Sequence, residues 1–285
     1  MSKNYSLRLG TRKSVMGMYV IATLLILPVL LPIIHVVIAS FYHPLFGGKI
    51  VSTSVLSIEN YIILFTEKDG MRALNNSILN SLLSASVAVF LALGLCALLL
   101  YMRARPSIVV IGLIAMNSIP PITLLLSQRE ILNWLGIEES REVLLVFQGL
   151  SFFPVVTLII AIRFWSLFAD RNFMLSSIRR LVHVDGLSFA DILFKVAIPS
   201  SKPELLIAYL IGFAMSWGDL LYSNIFTTFQ AEEPLTVLYL RLEGGQRMDW
   251  GSLYAGISLT IVIISLLLLL IGKALRKIEN AENYI

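Results

Sequence analysis

Few of the 285 residues have a type and setting that could do chemistry. Asp219 is the only acidic residue deep in an apolar stretch, within Ser216-Trp217-Gly218-Asp219. A carboxylate there is costly unless paired or wet, so it marks a functional candidate by default. The functional reading makes it a cavity or gate residue, with the Trp217 ring beside it free to stack on a small solute. The other reading is a structural carboxylate capping backbone groups at a helix break near Gly218. Pro120 and Pro121 interrupt a second apolar stretch. They form either a kink that lines a pathway or hinges a gate, or a packing kink tolerated in lipid. His35, His43 and His183 are too scattered for a metal site, so none is expected. Cys96 stands alone in an apolar run, which excludes a disulfide or thiolate cluster within the chain. No Gly-x-x-x-x-Gly-Lys-Ser/Thr loop occurs, so this chain is not expected to cradle ATP phosphates. It is not expected to be an enzyme, because a membrane enzyme needs a reactive cluster near one face and none is visible.

The elements that must position these residues are set by hydropathy. Hydrophobic residues make up 57% of the chain and charged residues 14%, and the mean hydropathy is +0.84. A chain of this size cannot hide so much apolar surface in one core. In lipid, backbone groups must be satisfied internally, by helices or a closed barrel. The apolar runs are far longer than the roughly ten residues of a barrel strand, so the fold class is all-α and polytopic. Six spans are expected: 16–40, 76–101, 106–126, 143–165, 204–226 and 251–272. The first is too long for a signal-peptide core, and no small-x-small cleavage site follows it. Measured from Glu204, Asp219 lies about 22 Å along its helix at ~1.5 Å per residue, nearer the outer face.

Lysine and arginine fix the orientation. Segments on one side of this scheme carry 15 of them and segments on the other side carry 7. The positive-inside rule then places both termini in the cytoplasm of a cell-membrane protein, as an even span count requires. The layout is a cytoplasmic tail 1–15, a six-span domain 16–272 and a second tail 273–285. The net charge of +4 sits beside the spans, so no nucleic-acid partner is expected.

One cytoplasmic stretch, 166–203, is longer than a connection needs. Ile178, Leu181, Val182 and Val184 suit a short amphipathic helix, and Asp185-Gly186 ends it. Ser188 caps a second helix carrying Phe189, Ile192, Leu193 and Val196, and Pro199 and Pro203 stop it. The expectation is a helix–turn–helix between spans four and five.

This loop resembles the coupling loop of ABC-importer permeases, whose motif reads Glu-Ala-Ala, three residues, Gly, nine residues, Ile-x-Leu-Pro. Asp185-Gly186, Ser188, Ala197-Ile198-Pro199 and Pro203 match in type and spacing. The resemblance covers most of the chain and points to the second-permease type of the carbohydrate-uptake branch. Asn76-Ser77, Pro120-Pro121, Leu135-Gly136, Ser216 to Leu221, Pro234 to Val237, Asp249-Trp250-Gly251 and Ala255-Gly256 all echo it. Two departures stand out. Arg180, preceded by Arg179, falls where the motif has glutamate, and the two alanines fall at Leu181 and Val182. The family's usual C-terminal tail is also absent.

The resemblance implies a subunit that moves a small solute, a sugar or oligosaccharide, by alternating access. It implies a heterodimer with a second permease, an ATP-binding cassette ATPase dimer that holds ATP and Mg, and an extracytoplasmic solute-binding protein. Residues 179–182, 185, 186, 188, 198, 199 and 203 would meet the ATPase. Arg180 implies either a compensating acid on that partner or weaker coupling through this half. The competing class is a secondary carrier driven by ions. Such a carrier should show several intramembrane ionisable residues or broken helices in repeated halves; only Asp219 is present.

Overall fold

The computed structural model describes residues 12–42, 56–102, 105–169, 188–227, 230–244 and 248–282. Among these, all regular structure is helical. The helices are α1 (Arg12–Ala39), α2 (Glu59–Thr66), α3 (Gly70–Tyr101), α4 (Pro106–Asn117), α5 (Pro121–Leu135) and α6 (Arg141–Ala169). They continue with α7 (Phe189–Ser200), α8 (Lys202–Trp217), α9 (Leu221–Phe226), α10 (Leu235–Gly244) and α11 (Trp250–Glu282). Helices α1, α3, α6 and α11 are each long and apolar enough to cross a membrane. The pairs α4–α5 and α7–α8 reach that length only as bent units, at 81° and 74°. The chain is a multi-pass helical membrane protein.

Helices α3, α6 and α8 form the centre. Small residues on α3 (Ala85, Ala88, Ala92 and Cys96) let Val156 and Ile160 of α6 and Ala208 of α8 approach closely. This is how helices pack where lipid supplies no hydrophobic drive. Gly149 sits at the tightest point: a Cβ there would overlap Val87 of α3. The long apolar run of α1 is almost wholly exposed within the chain, so lipid or another subunit must cover it.

The two ends of α3 gather different segments. At its start, Lys68 pairs with Asp249 at 3.2 Å, and Asn76 Nδ2 donates to the Ala231 carbonyl at 2.8 Å. Asn60 of α2 donates to the Ser40 and Tyr42 carbonyls just after α1. At the far end, Tyr101 stands edge-on to Phe189, with ring centroids 5.5 Å apart. Residues after α1 and those around 231–249 thus gather at the start of α3, and the start of α7 meets its far end.

Several boundaries differ from expectation. The stretch expected as one kinked span, 106–126, is two helices joined through Ser118, Ile119 and Pro120. The stretch expected as a fifth span, 204–226, breaks after Trp217. Pro199 does not stop its helix. A π-turn over Leu193–Ala197, closed by Ile198 N–H donating to the Leu193 carbonyl, precedes it. That widening takes up the bond a proline ring disrupts, and the helix runs to Ser200. Pro203 occupies the first turn of α8, where no donor is needed.

Candidate functional site

Helix α3 carries a polar stripe inside an apolar sequence. Asn76, Asn80 and Ser84 recur every four residues, with Ser77 and Ser81 alongside, and all are buried. At that spacing they share one face, turned toward α6 and the α8–α9 junction.

Gln148 of α6 is fully buried at the middle of this seam. Its carbonyl accepts from Ser84 Oγ at 2.8 Å and from Ser216 Oγ at 2.9 Å. Its amide donates to Asp219 Oδ2 at 2.8 Å and to Ser223 Oγ at 3.3 Å. One side chain therefore ties together α3, α6, the end of α8 and α9. The Asp219 carboxylate also accepts from Ser223 N–H at 3.2 Å, at the first turn of α9. A break in a helix leaves backbone donors that need partners, and here the carboxylate supplies one. Thr236 Oγ of α10 donates to the Asp219 carbonyl at 3.0 Å. Ser151 of α6 donates to the Tyr222 hydroxyl at 2.6 Å.

The capping role expected as one reading of Asp219 is present in this geometry. The carboxylate also faces polar side chains from α6, so it remains a candidate pathway residue. Trp217 is placed differently. Its indole is 2% exposed and stacks on Phe213, with centroids 5.8 Å apart, among Leu64, Leu235 and Leu238. In this conformation the ring faces the core and is not offered to a solute. Pro120 and Pro121 lie exposed at the α4–α5 bend and make no hydrogen bond to the Gln148 network.

Of the coupling-loop residues, Arg179, Arg180, Leu181, Val182, Asp185 and Gly186 lie outside the described residues, as does His183. Ser188 caps α7 in a reciprocal box: its hydroxyl accepts from Asp191 N–H at 3.2 Å, and the Asp191 carboxylate accepts from Ser188 N–H at 3.0 Å. Lys195 Nζ lies 2.6 Å from Asp191, and its hydrogen bond is the main reason the carboxyl is held down to about 2. Phe194, Lys195 and Pro199 are exposed on this helix, while Ile198 and Pro203 are partly covered.

Several of the fragments that carried the family resemblance are scattered in sequence and meet around this seam. Ser77 Oγ accepts from Leu235 N–H at 2.8 Å. Thr236 reaches Asp219, and Asp249 caps α11 through Ser252 while pairing with Lys68. Tyr239 donates to the Gly256 carbonyl at 2.6 Å. Sequence reading missed Gln148, since a single glutamine in an apolar span has no spacing signal. It also left Arg141 in a loop, whereas α6 begins with it.

No protein-family model matches the chain. Over 215 residues it is 24% identical to the permease protein of the sulfoquinovosyl glycerol transport system of Agrobacterium fabrum, covering 75% of this chain and 73% of that protein. Over 262 residues it is 22% identical to the trehalose/maltose transport system permease protein of Thermococcus litoralis, covering 88% and 90%. This chain is similar to ABC-importer permeases. A crystal structure of a bacterial ABC transporter involved in import of the acidic polysaccharide alginate contains a chain of the same fold. The TM-score is 0.69 at 18% identity, over 93% of this chain and 98% of that one. The permease resemblance thus extends from short motifs to nearly the whole fold.

Proposed function

We propose that this chain is the transmembrane permease subunit of an ATP-driven, binding-protein-dependent importer for a sugar or oligosaccharide. The observation that carries the reading is similarity to sugar-importer permeases along most of the chain, together with the fold. The same observation favours an importer subunit over an ion-coupled carrier. In this reading the chain has six spans with both termini in the cytoplasm: α1, α3, the α4–α5 pair, α6, α8 with α9, and α11, while α7 lies in the cytoplasmic coupling segment. The 166–203 segment meets a separate ATPase dimer, which binds ATP and Mg. A second permease covers part of the exposed apolar surface, and an external binding protein delivers the solute. ATP binding closes the ATPases and moves the coupling segment, and the bundle exchanges inward-open and outward-open forms. Ser188, Ile198, Pro199 and Pro203 belong to the coupling contact with 179–182, 185 and 186. Pro120, Pro121, Trp217 and Asp219 belong to the moving pathway, with Trp217 reaching solute only if α8 turns.

The test is purification of the tagged chain from native membranes in mild detergent. A second permease and an ATPase should copurify, and Gly186→Pro should release the ATPase. Recovery of the chain alone, with uptake that follows an ion gradient and ignores ATP, would reject the reading.

A further inference from the structure

The outer end of the polar seam holds a mismatch of donors. Arg141 Nε donates to Asn80 Oδ1 at 2.9 Å. Nε and the neighbouring Nη2 form one edge of the guanidinium, two parallel donors matched to two acceptors. Asn80 meets that edge with a single acceptor, because its other head atom is a donor. Arg141 Nη2 and Asn80 Nδ2 are both buried and lack a partner. Asn80 is 3% exposed.

The guanidinium also forms no ion pair among the described residues. Lys68, Arg72, Arg129 and Arg241, all at this end, each lie within 3.4 Å of a carboxylate. Among the described residues no carboxylate, the adjacent Glu142 included, comes within ion-pair distance of Arg141. A partly buried cation and a buried amide therefore offer donors to one further acidic oxygen. An isolated buried donor is costly, and a fold with carboxylates at hand for its other cations could have closed this pair with aspartate at position 80.

We infer that Arg141 and Asn80 form a recognition site for an acidic group of the transported solute, a sugar carboxylate or sulfonate. The acid enters when the outer ends of α3 and α6 part. The free Nη2 donor carries the guanidinium charge and stands beside the Asn80 amide donor, which favours an acidic oxygen over a sugar hydroxyl through a charge-assisted bond. The inference rests on the importer reading for its solute, and on the Arg141–Asn80 geometry for its site.

The test is thermal denaturation of the purified chain with whatever subunits accompany it, titrated at constant ionic strength. A uronate disaccharide should raise the melting temperature, and a neutral disaccharide of the same size should not. Asn80→Asp gives Arg141 its own carboxylate. It should melt at or above the parent temperature without ligand and lose the uronate shift. Arg141→Gln should keep its subunits and raise the half-saturating uronate concentration at least about tenfold, with Arg141→Lys in between. An equal shift from the neutral sugar would overturn the inference. So would an uronate shift retained in Asn80→Asp or an unchanged half-saturating concentration in Arg141→Gln, and so would an equal shift from glycerol phosphate or inorganic sulfate, the mark of a headgroup or general anion site. ATPase recovery is scored in the same preparation. An acid-selective shift without an ATPase keeps the site and rejects the importer; an ATPase without the shift does the reverse.

Discussion

Two helix breaks in this chain solve the same problem in opposite ways. Between α4 and α5 the break is made by proline, and Ser118 to Pro121 are exposed. Proline has no N–H, so the break leaves little to satisfy, and no side chain from another element caps it. Between α8 and α9 the break falls at Gly218–Leu220, where the backbone donors remain. Asp219 accepts one, Gln148 holds Asp219, and Thr236 holds its carbonyl. A break made by removing a donor is free of its neighbours. One that keeps its donors is tied to three other helices, so movement of any of them reaches it. That difference leaves the Gly218 break, unlike the proline break, coupled to the packing of the bundle.

The largest effect should come from cutting that tie. Asp219→Ala removes the acceptor of Ser223 N–H and the nearer of the two acceptors of Gln148 Nε2, and each buried unsatisfied group costs about 1–3 kcal/mol. Thermal denaturation in detergent should show a large loss for Asp219→Ala and a smaller one for Asp219→Asn, which keeps one acceptor. A loss no greater than that of an exposed substitution would mean the break is not tied, and the contrast would fall. Gly149→Ala attacks the same tie from behind. Its Cβ overlaps Val87 and must push α6 from α3, stretching the Ser84–Gln148 bond. Overpacking of this kind costs about 1–3 kcal/mol. Gly149→Ala combined with Ser84→Ala should then cost less than the two added together.

The contrast also explains what the sequence disclosed. Hydropathy runs located all four long helices, because lipid imposes length and apolarity directly. It merged α4 with α5 and α8 with α9, since 106–126 and 204–226 each read as one apolar run and a bend carries no hydropathy signal. Asp219 was visible because a lone charge in an apolar run is anomalous. Gln148 was not, because its importance lies in where its two head atoms point, and pairing across 71 residues is a property of packing. Helices α2 and α10 were missed for their shortness. Leu235, Leu238 and Leu242 of α10 do carry the spacing of a buried helix face.

The proline break should respond least among the backbone changes. Pro120→Ala alters an exposed position with no side-chain partner, so stability should move by no more than about 0.5 kcal/mol. If the bend is a working hinge, uptake by the reconstituted complex should change while the melting temperature does not. A loss of melting temperature comparable to that of Gly149→Ala would show that this break, too, is held by its surroundings.

A third break tests how far solvent weakens a side-chain tie. The α7–α8 pair bends near Ser201, and α7 begins with Ser188, Asp191 and Lys195 locked together in the open. The Lys195 hydrogen bond, then those from Ser188, hold the Asp191 carboxyl down to about 2. An unfolded aspartate titrates near about 3.9. The folded value is depressed, so this contribution is present above the unfolded value and is lost as pH falls from about 4 through about 2. Carbon-detected NMR of Asp191 should give a midpoint well below that of a free aspartate, and Lys195→Ala should raise it. A wild-type midpoint already near 3.9 would mean that water has displaced both partners. The start of α7 would then be a break of the proline kind, free of its neighbours, and only the buried junction at Asp219 would remain tied.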